Sequence, residues 1–271
     1  MGHKVFANHA HVFEEAVRPH GTIERLKALM AEAGIDKAVT FAPISGGPRA
    51  QMSEPDKNPN VWLAGAIKGD ADLYGFGTID FSKENLREQT EQIADLGLRG
   101  IKLHPAYQQF KVNGERAYQV YEAAERCGLF LSFHTGVHWH RLSDYTLLLF
   151  DDLTYDFPNL KFSMEHIGGY CFFKEAVAVI ANRRGNAADP HVFAGWTSIY
   201  DKGLWYISDA ELYDLLRITG TSAQIFGLDF PYRDAQYFKA AIGRILGLDI
   251  SEDAKAQILG KNLANALNVA L

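Results

Sequence analysis

The segment Val5-Phe6-Ala7-Asn8-His9-Ala10-His11 is a short apolar run that ends in two histidines one residue apart. Side chains alternate between the two faces of a β-strand, so this pattern places His9 and His11 on one face together with Val5 and Ala7. Two imidazoles on one face, about 7 Å apart along the strand, can bind a single ion. A His-x-His pair is weak evidence for a metal site by itself, because the rest of the chain has to supply the other ligands.

The composition describes an ordinary globular protein and excludes several classes of partner. Of the 271 residues, 47% are hydrophobic and 22% are charged, and the net charge of −6 gives no basic surface for nucleic acid. Two cysteines do not form a disulfide framework, so we expect a reducing compartment. The sequence contains no signal-peptide pattern and no long apolar run, which predicts a cytoplasmic protein without a membrane partner. The composition leaves homo-oligomerisation open.

Short apolar segments alternate with longer amphipathic segments along the whole chain. The predicted strands cover residues 5–11, 35–44, 74–79, 100–103, 129–133, 160–165, 191–195 and 223–227. Eight strands that alternate with helices over about 250 residues are typical of a (β/α)8 TIM barrel, so we expect one α/β domain over residues 1–271. The alternative is an open doubly wound sheet, which would gather its ligands around one switch point.

Histidine and aspartate residues recur where the predicted strands end. They are His9 and His11 after strand one, His104 after strand four, His134 after strand five, His166 after strand six and Asp229 after strand eight. The carboxyl ends of all the strands in such a barrel lie on one rim, where active sites are built. The sequence therefore predicts that these side chains converge on one metal or catalytic site.

Five motifs in a fixed order carry a resemblance to a known family. They are His-Ala-His at 9–11, Gly-Ile-Lys-Leu-His-Pro at 100–105, Phe-His-Thr-Gly at 133–136, Glu-His-Ile-Gly-Gly at 165–169 and Gly-Leu-Asp-Phe-Pro at 227–231. Together they resemble the amidohydrolase superfamily, and specifically its amidohydrolase 2 branch of metal-dependent hydrolases and decarboxylases. The segment Ile-Leu-Gly-Lys-Asn-Leu-Ala at 258–264 is similar to the usual ending of that branch. The resemblance covers the whole chain.

The resemblance implies a set of roles for these residues. His9, His11, His134 and Asp229 would ligate one divalent ion, and a metal-activated water would attack the substrate. Asp229 would also act as general base, while His166 would polarise substrate or water or hold a second ion. Three imidazoles and one carboxylate suit Zn²⁺, with Mn²⁺ and Fe²⁺ as alternatives.

Lys102 and His104 share a strand face, so Lys102 should lie inside the barrel one layer below His104. Relatives with two metals carry a carboxylated lysine or a glutamate on strand three or four. The residue at the end of strand four is His104 and not an acid, which favours a single ion. We expect His104 to contact substrate, whereas Lys102 is either functional or a buried amine with a structural partner.

Other residues near the strand ends are candidates for substrate binding. The full predicted set is His104, Tyr107, Trp139, Arg141, Trp196 and Arg233. Trp139 and Arg141 lie in the insert after strand five, which is either a wall of the site or a solvated loop. Core packing is the alternative for Trp196, and solvation is the alternative for Arg233. By alternation Glu165 should face away from the site, where it would pair with an outer helix or a basic side chain. The pair Trp205-Tyr206 is a candidate contact surface.

Three functions are compatible with this sequence. The leading expectation is hydrolysis of a small amide, ester or lactone by a metal-activated water. The first alternative is non-oxidative decarboxylation of an unsaturated or aromatic carboxylic acid, for which Arg141 and Arg233 are the obvious cations near the leaving group. The second alternative is a barrel that binds a ligand without chemistry.

Overall fold

The computed structural model describes residues 2–47, 51–182 and 189–271. Eight parallel strands follow one another around a closed barrel in sequence order, and the first strand pairs with the eighth. The prediction of a (β/α)8 barrel is therefore confirmed. The open doubly wound sheet is wrong, because such a sheet leaves two unpaired edges.

The strands are β1 Phe6–His11, β2 Lys37–Phe41, β3 Leu73–Gly77, β4 Gly100–Leu103, β5 Phe130–His134, β6 Phe162–Glu165, β7 Val192–Thr197 and β8 Gln224–Phe230. The helices are α1 Ile23–Ala33, α2 Pro59–Ala66, α3 Leu86–Asp95, α4 Pro105–Gln108, α5 Glu115–Cys127, α6 Leu149–Asp156, α7 Phe173–Asn182, α8 Asp209–Thr219, α9 Ala235–Gly247, α10 Glu252–Ala256 and α11 Asn262–Ala266. Short 3-10 helices cover Pro19–Gly21, Leu142–Asp144 and His166–Gly168, and a short π-helix covers Gln257–Lys261. Every predicted strand has a counterpart within a few residues.

Apolar side chains fill the amino-terminal half of the barrel. The inward-facing group consists of Phe6, Val39, Phe41, Phe76, Phe130, Phe193 and Ile225, and Leu263 of α11 packs against it. Since these side chains occupy the interior, the barrel is a packed core and not a pore. The polar side chains are left to the carboxyl-terminal half, where they face a single mouth.

Strand β1 departs from regular alternation next to its histidines. The pairing register with β2 shifts between Ala7 and Ala10, and His9 has a φ of 70°. A bulge of this kind re-aims the side chains that follow it. Ala7 packs in the outer layer, whereas Asn8 and His9 both face the interior. The prediction that Ala7 shares a face with His9 is therefore wrong, although His9 and His11 do lie side by side.

Within the described ranges, no helix combines the length and the apolar character that crossing a membrane requires.

Candidate active site

Left-handed backbone conformations are concentrated at the mouth of the barrel. The residues other than glycine that adopt them at the ends of β1, β6, β7 and β8 are His9, His166, Ile167, Ser198 and Asp229. Each costs an L-residue about 1–2 kcal/mol, and such strain tends to persist at functional sites. On β1 and β6 the left-handed residue places two consecutive side chains in the interior of the barrel, whereas regular alternation would place only one there.

His9, His11 and Asp229 form a tight group at this mouth. The Nε2 atom of His9 lies 3.2 Å from Nε2 of His11 and 3.6 Å from Oδ1 of Asp229. Ligand atoms about 2.1 Å from a tetrahedral ion are about 3.4 Å from one another, so these spacings suit a divalent ion. We call these three residues the metal cluster.

Glu165 holds the ring of His9 from below. Its side chain is fully buried, and it accepts hydrogen bonds from Asn8 Nδ2 at 2.7 Å, Ser163 Oγ at 2.5 Å and Thr197 Oγ1 at 2.5 Å. His9 Nδ1 lies 3.1 Å from Glu165 Oε2 and donates to it. A carboxylate in this position fixes the tautomer of a metal-ligating histidine, leaving the Nε2 lone pair towards the ion.

Two glycines leave room for the Glu165 network. A Cβ atom on Gly195 would lie 2.5 Å from the Glu165 carboxylate, and a Cβ on Gly227 would lie 2.0 Å from Thr197 Oγ1. Any side chain at either position would therefore displace a hydrogen-bonding partner. The prediction that Glu165 faces an outer helix is wrong, because it points into the barrel and His166 after it is turned inward as well.

Backbone carbonyls orient His134 and His166. His134 Nε2 lies 2.8 Å from the carbonyl oxygen of Gly136, and His166 Nδ1 lies 2.8 Å from that of Thr197. Because a carbonyl oxygen only accepts, each of these nitrogens carries the proton. His134 is left with a lone pair on Nδ1 and His166 with one on Nε2, and His166 Nε2 is buried without a hydrogen-bond partner in the part of the chain that the structure describes.

His134 stands between the metal cluster and a second group of histidines. Its ring lies 4.6 Å from that of His166, which in turn lies 5.2 Å from His9. It also stacks on His104 with ring centroids 3.9 Å apart. Ligand atoms of His104, His134 and His138 lie within 4.8 Å of one another. Three of the four predicted ligands thus meet directly, and the fourth lies beside them.

Burial keeps the histidines at the mouth uncharged. It lowers the pKa well below the usual 6.5 for His9, His11, His104, His134 and His166. Burial also lowers the pKa of Lys102 to about 8. It raises the pKa of Asp229 to about 6, against the hydrogen bond from Ser198 that lowers it. Neutral imidazole is the form that binds metal.

We expect the metal-free protein to lose stability as the pH falls below about 6.5. An unfolded histidine takes up a proton near that pH, whereas these buried ones do so only at lower pH. The unfolded state then binds more protons, so the free energy of unfolding falls by up to about 1.4 kcal/mol per pH unit for each group. The pKa of Asp229 is raised from 3.8 to about 6, which stabilises the folded state as the pH falls. This single group opposes the effect of the five histidines and does not cancel it.

Urea unfolding of chelator-treated protein between pH 7.5 and 5.5 measures this dependence. A matched His20→Asn variant should show the same slope, because His20 is exposed and is not among the residues that line the cavity at the mouth. Stability that stays constant or increases towards pH 5.5 would contradict the neutral, buried state of these imidazoles.

A cavity of about 400 Å³ adjoins the metal cluster. Its size suits a small organic ligand. Beside His9, His11, Asp229 and Lys102, its walls carry the aromatic side chains Phe13, Tyr107, Trp139, Trp205 and Tyr232. Such walls suit a flat, conjugated molecule, with the polar groups concentrated at the cluster.

Four of the six predicted substrate-binding residues line this cavity, namely His104, Tyr107, Trp139 and Arg233. Arg233 is held by an ion pair, with Nη1 2.8 Å from Oδ2 of Asp201. Trp139 is 91% exposed and lies at the outer edge of the cavity. Lys102 is fully buried below His104, as expected, with Nζ 3.4 Å from Nε2 of His9.

Arg141 and Trp196 do not line the cavity, which corrects their prediction as substrate contacts. Arg141 lines a separate cleft next to Lys111 and Asp144. Trp196 is fully buried in the outer layer, and its Nε1 donates to Gln224 Oε1 at 2.8 Å. Trp196 faces outward because alternation along β7 sends it to the helix side of the strand.

Trp205 lines the cavity, although the sequence suggested a contact surface for it. Its ring lies 3.9 Å from that of His166, and its Nε1 donates to the carbonyl oxygen of Val137 at 2.8 Å. It reaches the mouth from the loop after β7. Its distance in sequence from every strand-end histidine gave no signal of this contact.

Nearly the whole chain matches one known family. The family model described as Amidohydrolase (Amidohydro_2) matches residues 9–267, beginning at the first histidine of the metal cluster. The chain belongs to the amidohydrolase family. The resemblance carried by the motifs is therefore confirmed, and members of this family are metal-dependent enzymes. The alternative of a barrel without chemistry finds no support.

Solved structures of other proteins share the fold of this amidohydrolase. A 5-carboxyvanillate decarboxylase from Sphingomonas paucimobilis is 17% identical, with a TM-score of 0.72 over 99% of this chain and 100% of the other. A dihydroxybenzoic acid decarboxylase from Polaromonas, with bound manganese and 2-nitroresorcinol, is 14% identical, with a TM-score of 0.75 over 98% and 97%. At such identities the likeness establishes the fold alone. None of the curated proteins matches the sequence with significance.

A third solved structure is named for a different reaction, a hydrolysis. A Pseudomonas putida protein, provisionally assigned as a 2-pyrone-4,6-dicarboxylic acid hydrolase, is 16% identical, with a TM-score of 0.70 over 100% of both chains. The names of these neighbours thus include both reactions considered from the sequence. Decarboxylases are the more frequent reaction named among these neighbours.

Proposed function

We propose that this amidohydrolase is a metal-dependent decarboxylase that releases carbon dioxide from an aromatic or conjugated carboxylic acid. The observation that carries the proposal is the cavity itself, in which aromatic walls meet the metal cluster. A flat acid can stack against those walls while its oxygen atoms reach the cluster. Decarboxylases with the same barrel add support.

The residues present fit a divalent ion. His9, His11 and Asp229 would hold it, with His134 as the fourth ligand, since the proton on His134 Nε2 leaves the lone pair on Nδ1. When bound, the ion would orient the oxygen atoms of the substrate and neutralise their charge. Imidazole ligands favour Zn²⁺, whereas the bound manganese of a decarboxylase neighbour makes Mn²⁺ the other candidate.

The reaction needs a proton for the carbon atom that loses carbon dioxide. Among the described residues that line the cavity, Asp229 alone is a carboxylic acid, so we assign the proton transfer to it. The bond between the ring carbon and the carboxylate breaks, its electron pair stays on the carbon, and the proton of Asp229 forms the new C–H bond. Asp229 regains a proton from water, so one carboxylate and one proton give the same ring compound with hydrogen in place of the carboxylate and one molecule of carbon dioxide.

Hydrolysis of a lactone is the second candidate, supported by the neighbour assigned as a pyrone dicarboxylic acid hydrolase. In that reaction Asp229 would accept a proton from water instead of giving one to carbon. The lone pair of His166 Nε2 provides a further acceptor within the site. The two functions therefore use the same residues with opposite directions of proton transfer.

The two functions are separated by incubating metal-loaded protein with 2,6-dihydroxybenzoate, 5-carboxyvanillate and 2-pyrone-4,6-dicarboxylate. We expect carbon dioxide release from at least one benzoate, and we expect it to be lost after chelation and restored by Mn²⁺ or Zn²⁺. Ring opening of the pyrone without carbon dioxide release from either benzoate would replace decarboxylation with hydrolysis.

A further inference from the structure

His104 and Tyr107 lie on the side of the cavity that follows β4. His104 is 6% exposed and precedes α4, in which Tyr107 lies. The rings of the two residues are 5.8 Å apart. Neither belongs to the metal cluster, and both present a polar atom whose hydrogen-bonding direction is set by the backbone.

The backbone of α4 fixes the tautomer of His104. The N–H of Tyr107 donates to His104 Nδ1 at 3.3 Å, and because a backbone N–H only donates, this Nδ1 carries a lone pair. A neutral imidazole then carries its proton on Nε2. That atom is buried and has no hydrogen-bond partner among the described residues. Gln108 Oε1 accepts from the His104 N–H at 2.8 Å, which keeps the residue in place.

A second backbone N–H fixes the direction of Tyr107. Ile44 N donates to Gln51 Oε1 at 3.0 Å, so the amide nitrogen of Gln51 faces the other way. That nitrogen donates to Tyr107 Oη at 3.1 Å, which leaves the hydroxyl proton of Tyr107 for another acceptor. Gly47 makes room for the ring, because a Cβ there would lie 1.8 Å from Tyr107 Cε1.

The polarity of His104 argues against a second metal at the group of His104, His134 and His138. A histidine ligates through a lone pair, and the Nε2 of His104 carries a proton instead. The N–H on His104 Nε2 suits a negatively charged oxygen instead, since hydrogen bonds to a charged acceptor are stronger than those to a neutral one. On the other side of the cavity, His9 presents the lone pair of its Nε2, so the two sides of the mouth are complementary.

We propose that His104 Nε2–H and Tyr107 Oη–H form a pair of donors that binds an anionic oxygen group of the substrate, either a carboxylate or a phenolate. The pair positions the substrate and does not take part in bond breaking. The choice of aromatic acids as ligands rests on the proposed function. The direction of the two donors follows from the hydrogen bonds of His104 and Tyr107 and does not rest on the proposed function.

The test compares binding to metal-loaded wild type, His104→Asn and Tyr107→Phe by calorimetry. Asparagine can still accept from the Tyr107 N–H as an N-cap residue but lacks the distal donor, and phenylalanine removes only the hydroxyl. The probes are 2,6-dihydroxybenzoate, 2,6-dimethoxybenzoate and resorcinol. His20→Asn and Tyr118→Phe are matched controls, because both residues lie outside the cavity.

We expect each active-site variant to weaken 2,6-dihydroxybenzoate binding by about 10- to 100-fold, with the controls unchanged. A parallel loss for dimethoxybenzoate would identify the carboxylate as the bound group, and a loss for resorcinol would identify the phenol oxygen. If carbon dioxide is released, KM should rise more than kcat falls. Acids that bind without carbon dioxide release would refute the proposed function and leave the donor pair intact.

Two kinds of measurement could overturn the donor pair. One is unchanged binding of all three probes in both variants, or failure of the wild type to bind any of them. The other comes from ¹⁵N nuclear magnetic resonance of the histidine rings, which reports tautomers directly. We expect His104 protonated on Nε2 and not on Nδ1, before and after metal loading. A protonated Nδ1, or metal bound at Nε2, would refute the assignment.

Discussion

His9→Ala protein should purify without stoichiometric metal and lose at least about 1000-fold in kcat/KM, equivalent to about 4 kcal/mol of transition-state stabilisation. His9 Nε2 is the central atom of the metal cluster, since it lies within 3.6 Å of both His11 Nε2 and Asp229 Oδ1. Its removal takes away one ligand and the link to Glu165. Elemental analysis after gel filtration and steady-state kinetics measure the two effects.

The control for this experiment is His20→Ala, which removes an exposed imidazole and should retain metal and activity. Circular dichroism should show that His9→Ala still folds, and Asp229→Asn provides a second, nearly isosteric disruption of the same cluster. Full metal content in both His9→Ala and Asp229→Asn would mean that the ion binds elsewhere.

Glu165→Leu should lower the free energy of unfolding by about 4 kcal/mol or more, because it leaves four buried donors without an acceptor at about 1–3 kcal/mol each. The donors are Asn8 Nδ2, His9 Nδ1, Ser163 Oγ and Thr197 Oγ1. Metal affinity should also fall, by about 10- to 100-fold, since His9 loses the partner that fixes its tautomer. Urea unfolding and metal titration measure the two losses.

Glu165→Gln separates the two effects, because it keeps the shape and one acceptor oxygen but removes the charge. We expect it to retain more stability than Glu165→Leu while still weakening metal binding. Glu84→Gln is the surface control, since Glu84 forms an exposed ion pair with Arg116, of a kind that contributes less than about 1 kcal/mol. Wild-type metal affinity in both Glu165 variants would show that Glu165 does not position His9.

The barrel and the gathering of its histidines could be predicted from the sequence because both depend on local patterns. The alternation of apolar strands with amphipathic helices determines the fold. Once the strands close into a barrel, the residues that end them share a rim, which is why His9, His11 and Asp229 meet although 218 positions separate His11 from Asp229.

The sequence analysis failed where the backbone leaves regular strand geometry. Alternation allows either Glu165 or His166 to face inward, but the left-handed conformation of His166 lets both do so. The residue types at Glu165 and His166 do not predict that conformation, since neither residue is glycine. Trp205 was missed for another reason, as its contact with His166 is set by how the loop after β7 folds back over the mouth.

The central claim is that one divalent ion is held by His9, His11 and Asp229, next to His134. Anomalous diffraction from crystals loaded with Mn²⁺ tests it most directly, because the signal locates the ion independently of any assumed ligand. We predict one strong peak within about 2.0–2.3 Å of His9 Nε2, His11 Nε2 and the Asp229 carboxylate. A peak centred among His104, His134 and His138 instead, or no peak at the mouth, would contradict it.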